Sequence, residues 1–332
     1  MRGTGEVRLE AATGISRGRR AMQEDAVLCD VPQGGAAGIV VLADGLGGHA
    51  GGAVASRLAV TTALRELAGH RDAEGALSGH IPGLLRVAAE AANHAVLAQA
   101  ELAPEVEGMG TTLLGAVVQG GDLYWVSVGD SPLFLLRAGR LRQLNETHSL
   151  ATHLDLLVEV GEMTPEAAAA HPGRACLTSA LGSEPIERID CPDAPLRLRP
   201  GDVILAASDG LLTLAPGEIG AIADARDERS ADLASRLLEA VARAGEAEQD
   251  NVSLAVLRAE PVAPRAAPRA GFGLRGALAR LLDGLRGGHA PGSALPQGGL
   301  RGSGLRGSGL RGSGAAAGGL SSAARSALEV QE

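Results

Sequence analysis

Apolar positions along this chain recur with two different periods. Residues 7–31 read as a strand, a turn and a second strand, and residues 39–43 form a short, branched apolar run suited to a buried strand. Residues 53–68 then place Val54, Leu58, Leu64 and Leu67 near one helical face, and residues 82–102 predict a second, Ala-rich helix carrying Leu84, Leu85, Val96 and Leu97. The short period returns at 111–119 and 122–130, joined by a Gly120-Gly121 hairpin turn, and again at 132–137 and 141–144 around an Ala138-Gly139 turn. Residues 145–185 read as loop and short helix. Residues 202–210 form a strand ending in Asp-Gly, residues 229–244 a helix with Leu233, Leu237, Leu238 and Val241 on one face, and the pattern closes with a strand ending near Arg258.

Hairpins in series after paired helices favour an α+β sandwich over a doubly wound parallel sheet. Beyond residue 260 the pattern stops. A Pro/Ala stretch leads to residues 272–287, which could form a basic amphipathic helix with five leucines, and then L-R-G-S-G occurs three times in tandem from Leu300, Leu305 and Leu310. Five residues are too few for a self-supporting repeat, and the Gly/Ser content predicts a flexible tail. We therefore divide the chain into a body, residues 1–260, and a tail, residues 261–332.

Charge sharpens this division. The net charge is −9, yet the segment from residue 261 carries 9 Arg against 3 acids, leaving the body at about −15. An acidic body argues against nucleic-acid binding. A basic tail could instead dock on an anionic surface or an acidic partner. Aromatic residues make up only 1% of the chain, so the core must be built from Leu, Val, Ile and Ala. Three cysteines, no apolar leader and no stretch long enough to span a bilayer lead us to expect a cytoplasmic protein without disulfides.

The chemistry is concentrated in acids at strand ends. Residues 39–43 run into Asp44, followed by five glycines in residues 45–52. Asp130, Asp209 and Asp250 stand at similar junctions. Singly, each is an ordinary turn residue. Together they could converge on one sheet edge, where hard cations with oxygen ligands would neutralise them. The chain has no zinc-type His or Cys spacing, so Mg²⁺ or Mn²⁺ is favoured. A pair of such ions can generate hydroxide and clamp a phosphoryl group. Ahead of these acids, Arg17, Arg19 and Arg20 precede Glu24 and Asp25 in one turn, offering a phosphate-binding arginine beside metal-directed carboxylates.

The ordered motifs R-x-x-x-E-D (20–25), D-G-L-G-G-H (44–49), G-M-G-T-T (108–112), V-G-D-S (128–131), T-S-A-L-G (178–182), S-D-G-L (208–211) and D-N (250–251) resemble the metal-dependent protein serine/threonine phosphatases, the type 2C or PPM family, over about residues 7–258. The resemblance implies a four-layer α-β-β-α sandwich of two antiparallel sheets flanked by helices. It implies that Asp44 bridges two tightly bound Mn²⁺ or Mg²⁺ ions, that the Gly45 carbonyl binds one of them, and that Asp209 and Asp250 ligate the other. Asp130 would join Asp209 at a weaker third ion, Glu24 and Asp25 would act through water, and Arg20 would hold the substrate phosphate. Residues 148–176 correspond to the family's variable flap.

Two positions depart from many members. Leu46 stands where a histidine general acid is often found, and Pro132 replaces an arginine, both in the manner of bacterial members. His49 is read as structural. The implied activity is hydrolysis of phosphoserine and phosphothreonine in signalling, on phosphoproteins that include a serine/threonine kinase or its targets, by a monomer. The competing reading is a phosphatase-fold module that only senses phosphoproteins; it would be expected to lose metal acids. A cysteine-phosphatase loop, Cys191 to Arg197, is disfavoured by Pro192 and Pro195 within it. The glycines at 45–52 lack the lysine and the spacing of a nucleotide loop.

Overall fold

The two periods become two kinds of layer. The computed structural model describes residues 7–262, except residues 33, 47–49, 73–74, 184 and 226–227. One antiparallel sheet runs, in spatial order, β1 (Val7–Ser16), β12 (Val252–Pro261), β11 (Val203–Ala207), β8 (Leu133–Arg137) and β9 (Arg140–Gln143). The other runs β10 (Leu196–Arg197), β7 (Asp122–Val128), β6 (Leu113–Gln119), β3 (Ala37–Ala43) and β2 (Ala26–Asp30). A two-stranded ribbon pairs β4 (Gly45–Leu46) with β5 (Gly110–Thr111).

Alternation along the central strands explains the layering. On β3, Val40 and Leu42 enter the core between the sheets, while Ile39, Val41 and Ala43 face α1 (Ala50–Ala68) and α2 (Ile81–Leu102). On β12, Ala255, Leu257 and Ala259 point into the inter-sheet core, and Val252, Leu254 and Val256 meet α5 (Pro216–Ala223) and α6 (Ser230–Ala244). Strands buried on both faces read as unbroken apolar runs, because neither face meets water. The outcome is the α-β-β-α sandwich of two antiparallel sheets that the resemblance implied.

Several details differ from the sequence reading. The helix α5 was not anticipated: Pro216, Gly217 and Gly220 weaken its intrinsic signal, and Ile219 and Ala223 are buried by tertiary packing instead. The segment 145–185 holds two helices, α3 (Leu150–Glu159) and α4 (Pro165–Ala169). The strand expected over 111–119 is split between β5 and β6 because Thr111 and Thr112 bond to Asp44. The final strand continues past Arg258 to Pro261, since its partner β1 reaches back to Val7. Among the described residues no helix is long and apolar enough to cross a membrane. The tail expectations, including a helix at 272–287 and docking on an anionic surface, lie outside the described residues, as does the reading of His49.

Candidate active site

The sandwich brings the strand-end acids to one of its edges. Asp44 follows β3, Asp130 follows β7 where the chain passes between the sheets, Asp209 follows β11 and Asp250 precedes β12. A cleft of about 200 Å³ is lined by Arg20, Glu24, Asp44, Gly45, Asp130, Asp209 and Asp250, with Leu46, Ala175, Leu177 and Asn251 completing its wall. Asp25 lies behind this lining, 4% exposed. All the acids singled out in the sequence therefore gather here, together with one arginine of the three. Arg17 turns to the carbonyl of Ala21, and Arg19 contributes its backbone N–H to Gln249 O at 2.8 Å.

Asp44 is the hub. It is close enough to Asp25 and to Asp209 to hydrogen-bond with either, and Asp25, Asp209, Asp130 and Asp250 all repel its charge. Burial first, and these neighbours second, hold its pKa well above the usual carboxylate range. Burial, with repulsion from Asp209, pushes Asp130 up to about 7. Asp25 is raised to about 6, chiefly by burial, with hydrogen bonds from Ser208, Asp44 and Ser253 acting against the shift. Asp209 is raised by burial and by Asp250, while Arg20 opposes that rise. On the rim, Arg20 pairs with Asp250 at 2.7 Å, half open to solvent.

This donor set suits hard divalent cations. It offers carboxylate oxygens and a backbone carbonyl, and it carries more negative charge than one guanidinium can offset. The Oδ1 of Asp25 is buried without a hydrogen-bond partner, an acceptor left over once Ser208 Oγ has donated to Oδ2 at 2.7 Å. Among the described residues, no group of three or more His, Cys, Asp or Glu side chains is placed to hold a metal ion. The acids are distributed around Asp44, whose charge Asp25, Asp209, Asp130 and Asp250 repel. Close backbone approach is part of the layout. A Cβ at Gly45 would overlap the carbonyl oxygens of Gly52 and Glu24, and one at Gly210 would overlap that of Asn251.

Ala175 and Leu177, at the end of the flap segment, line the cleft. The N–H of Leu150 donates to Cys176 O at 2.9 Å, and Arg174 pairs with Asp155 at 2.9 Å, so α3 is tied to the segment bearing Ala175 and Leu177. A larger cavity, about 310 Å³, opens at the other end of β11, beside Arg137 and Asp202. There the guanidinium is already closed on the carboxylate at 2.6 and 2.9 Å, and acids do not converge. The cysteine-phosphatase alternative fails on geometry. Cys191 is buried against Pro82 O, its thiol pushed up to about 11 by burial, and Arg197 sits on β10 bonded to Asp122.

Comparison with known proteins agrees with this layout. The family description "Protein phosphatase 2C" matches residues 16–257. The chain belongs to the protein phosphatase 2C family. The serine/threonine protein phosphatase PstP of Mycobacterium tuberculosis is 38% identical over 239 residues, which are 71% of this chain and 42% of that protein. The chain thus spans less than half the length of this curated relative. A crystal structure of the M. tuberculosis PstP phosphatase superposes with a TM-score of 0.62 at 36% identity, covering 76% of this chain and 99% of the other. A PstP catalytic domain in complex with two manganese ions gives 0.61 at 34% identity, with 76% and 99% covered.

The fold also shows what holds this phosphatase-family site in shape, which sequence reasoning missed. Thr111 Oγ1 donates to Asp44 O at 2.7 Å, and Thr112 Oγ1 accepts the Asp44 N–H at 2.9 Å. Asn145 Nδ2 donates to Ser127 Oγ and to Ser131 O, bracing the Asp130 turn, and the N–H of Gly129 donates to His148 Nδ1 at 3.2 Å. Gln249 bonds to Thr213 and to Gly210 O across the Asp209 turn. Thr111, Thr112, Ser131 and Ser208 all lie inside the motifs quoted from the sequence. A motif marks such positions without saying what they touch.

Proposed function

We propose that this chain is a protein serine/threonine phosphatase that removes phosphate from phosphoserine and phosphothreonine. The observation that carries the reading is the convergence of Arg20 with Asp44, Asp130, Asp209 and Asp250 on one open cleft in a protein phosphatase 2C fold. Asp44, the Gly45 carbonyl, Asp209 and Asp250 would hold two divalent ions, Mn²⁺ or Mg²⁺, with Asp130 and Asp209 at a weaker third position. Glu24 and Asp25 would contribute through water. The manganese-bound PstP relative supports this assignment. Bound ions there would supply Lewis acidity to the phosphoryl oxygens and an activated water.

The chain's own groups then do the following. Arg20 presents a planar fork to the phosphate and releases Asp250 as it does so. At Gly45 the chain packs against the carbonyls of Gly52 and Glu24, so no side chain fits at this point beside the cleft. Leu46 lines the cleft with an apolar side chain that carries no proton, so protonation of the leaving alkoxide does not come from that position. Leu46, Ala175 and Leu177 exclude water from one side of the substrate. The sensing-only alternative has no observation in its favour, since every acid of the expected set is present and gathered.

Phosphoproteins, including a serine/threonine kinase or its targets, are the proposed substrates, with the protein working as a cytoplasmic monomer. The catalytic body would be residues 1–260 and the tail, 261–332, would serve location or partner choice. The deciding assay is release of inorganic phosphate from a phosphothreonine peptide. Release with Mn²⁺ that stops with excess chelator is expected; no release at any metal concentration would leave a binding module.

A further inference from the structure

The loop that carries Arg20 has no sheet partner. Strand β1 ends at Ser16, opposite Val252, and β2 begins at Ala26. The residues between make only irregular backbone, yet Arg20 and Glu24 line the cleft and Asp25 lies directly behind it. The Arg20 to Asp250 ion pair is half exposed, and pairs of that kind contribute too little to fix the loop.

Besides the Arg19 N–H to Gln249 O bond, one side chain holds the loop at three points. Asn251 is 4% exposed, and its carboxamide is spent entirely on this loop. Its Nδ2 donates to Arg17 O at 2.8 Å and to Met22 O at 3.0 Å, while its Oδ1 accepts the N–H of Glu24 at 2.7 Å. These three bonds bracket Arg20 on both sides. The backbone N–H of Asn251 also donates to Asp250 Oδ1 at 2.7 Å, leaving Asp250 Oδ2 to face Arg20. Gly18, at φ +60°, presses against the carbonyls of Gln249 and Asp250, where a side chain would not fit. We infer that Asn251 is a positioning residue that sets the reach of Arg20 and Glu24 into the cleft by clamping residues 17–24 to the start of β12.

The inference rests on the proposed phosphate-binding role of Arg20. The requirement is for an amide specifically. Two adjacent donors and one acceptor must be offered to backbone groups at fixed places, and only Asn has that fork at that length. In Asn251→Asp the Glu24 bond survives, but a carboxylate oxygen faces two carbonyl oxygens. An unsatisfied or repelled buried group costs more than a bond gains.

The test measures kcat and KM for a phosphothreonine peptide at saturating Mn²⁺, for Asn251→Asp and Asn251→Ala, each alone and combined with Arg20→Ala. With intact Arg20, the Asn251 substitutions are expected to raise KM at least about tenfold, the scale of a small misplacement. With Arg20→Ala they should add less than about twofold to KM, because the phosphate-binding group they position is gone, and what they do through Glu24 would fall on kcat instead. The same factor in both backgrounds, or an unchanged KM, overturns the inference. Hydrogen exchange of the Glu24 amide gives a readout that needs no activity. It should accelerate at least about tenfold in Asn251→Ala while the amides of β1 and β12 keep their protection, which also shows that the variant is folded. Unaltered Glu24 exchange overturns the clamp. If Arg20→Ala alone leaves KM unchanged, the role of Arg20 falls, and the clamp is judged on exchange.

Discussion

Thr112 Oγ1 and Ser131 Oγ lie 2.8 Å apart, each residue at most 1% exposed, and they connect two of the acid-bearing turns. Thr112 also accepts the Asp44 N–H, and Ser131 follows Asp130 directly, so this hydroxyl pair spans from the end of β3 to the crossing between the sheets. Replacing Thr112 with Val keeps the shape and leaves two polar groups unmatched. Thr112→Val is expected to lower unfolding free energy by about 1–3 kcal/mol, with Thr112→Ser retaining more than half of it. Urea titration monitored by circular dichroism checks this; equal losses for both variants would mean that packing, not the hydroxyl, matters.

Asp44 and Arg20 should fail in different ways. Asp44→Asn or Asp209→Asn is expected to lower kcat by at least ~10³-fold, because these acids would hold the ions that activate water. Arg20→Ala is expected to act mainly on KM, since it holds the phosphate in ground and transition states alike. Steady-state kinetics on a phosphopeptide separates the two. A kcat collapse in Arg20→Ala with Asp44→Asn unaffected would reverse the assignments.

The acid cluster predicts an unusual pH dependence for the metal-stripped protein. A carboxyl whose pKa is raised on folding keeps its proton in the folded chain where the unfolded chain has lost it. Its contribution to stability is complete below about pH 4 and is lost as pH rises through about 6 for Asp25 and about 7 for Asp130. Asp44 and Asp209 shift in the same direction. Tm of the stripped protein should therefore fall between about pH 4 and about pH 7, and Mn²⁺ should restore more of it at the higher pH, where the acids are ionised. Thermal melts in both conditions check this, with Asp130→Ala reducing the slope.

Thiol chemistry should be irrelevant. Burial pushes Cys29 and Cys191 up to about 11, while Cys176 is exposed. Iodoacetamide at neutral pH is expected to label Cys176 alone, and Cys176→Ser should keep full turnover. Mass spectrometry and phosphate release measure both; loss of turnover in Cys176→Ser would give that thiol a part in the cleft.

Much of this site was legible in the sequence. A strand that ends in Asp, followed by Gly, carries its meaning locally: period, turn chemistry and residue type occupy a few consecutive positions. Asp44 and Asp209 could be picked out in that way, Asp130 and Asp250 by standing at other strand junctions, and the order of the motifs pointed to the family and its sandwich. Tertiary structure alone decided the rest. Helix α5 exists because Ile219 and Ala223 meet a sheet face, against the weak propensity of its own residues. The backbone on either side of Arg20 is held by Asn251, more than two hundred residues away in the chain. Hydrogen bonds between Thr112 and Ser131, or Ser208 and Asp25, join positions whose spacing in sequence carries no period. The sequence determines which residues can bond; only the packed sheets bring the partners within 3 Å, because hydrogen bonding acts over that distance and has no memory of chain order.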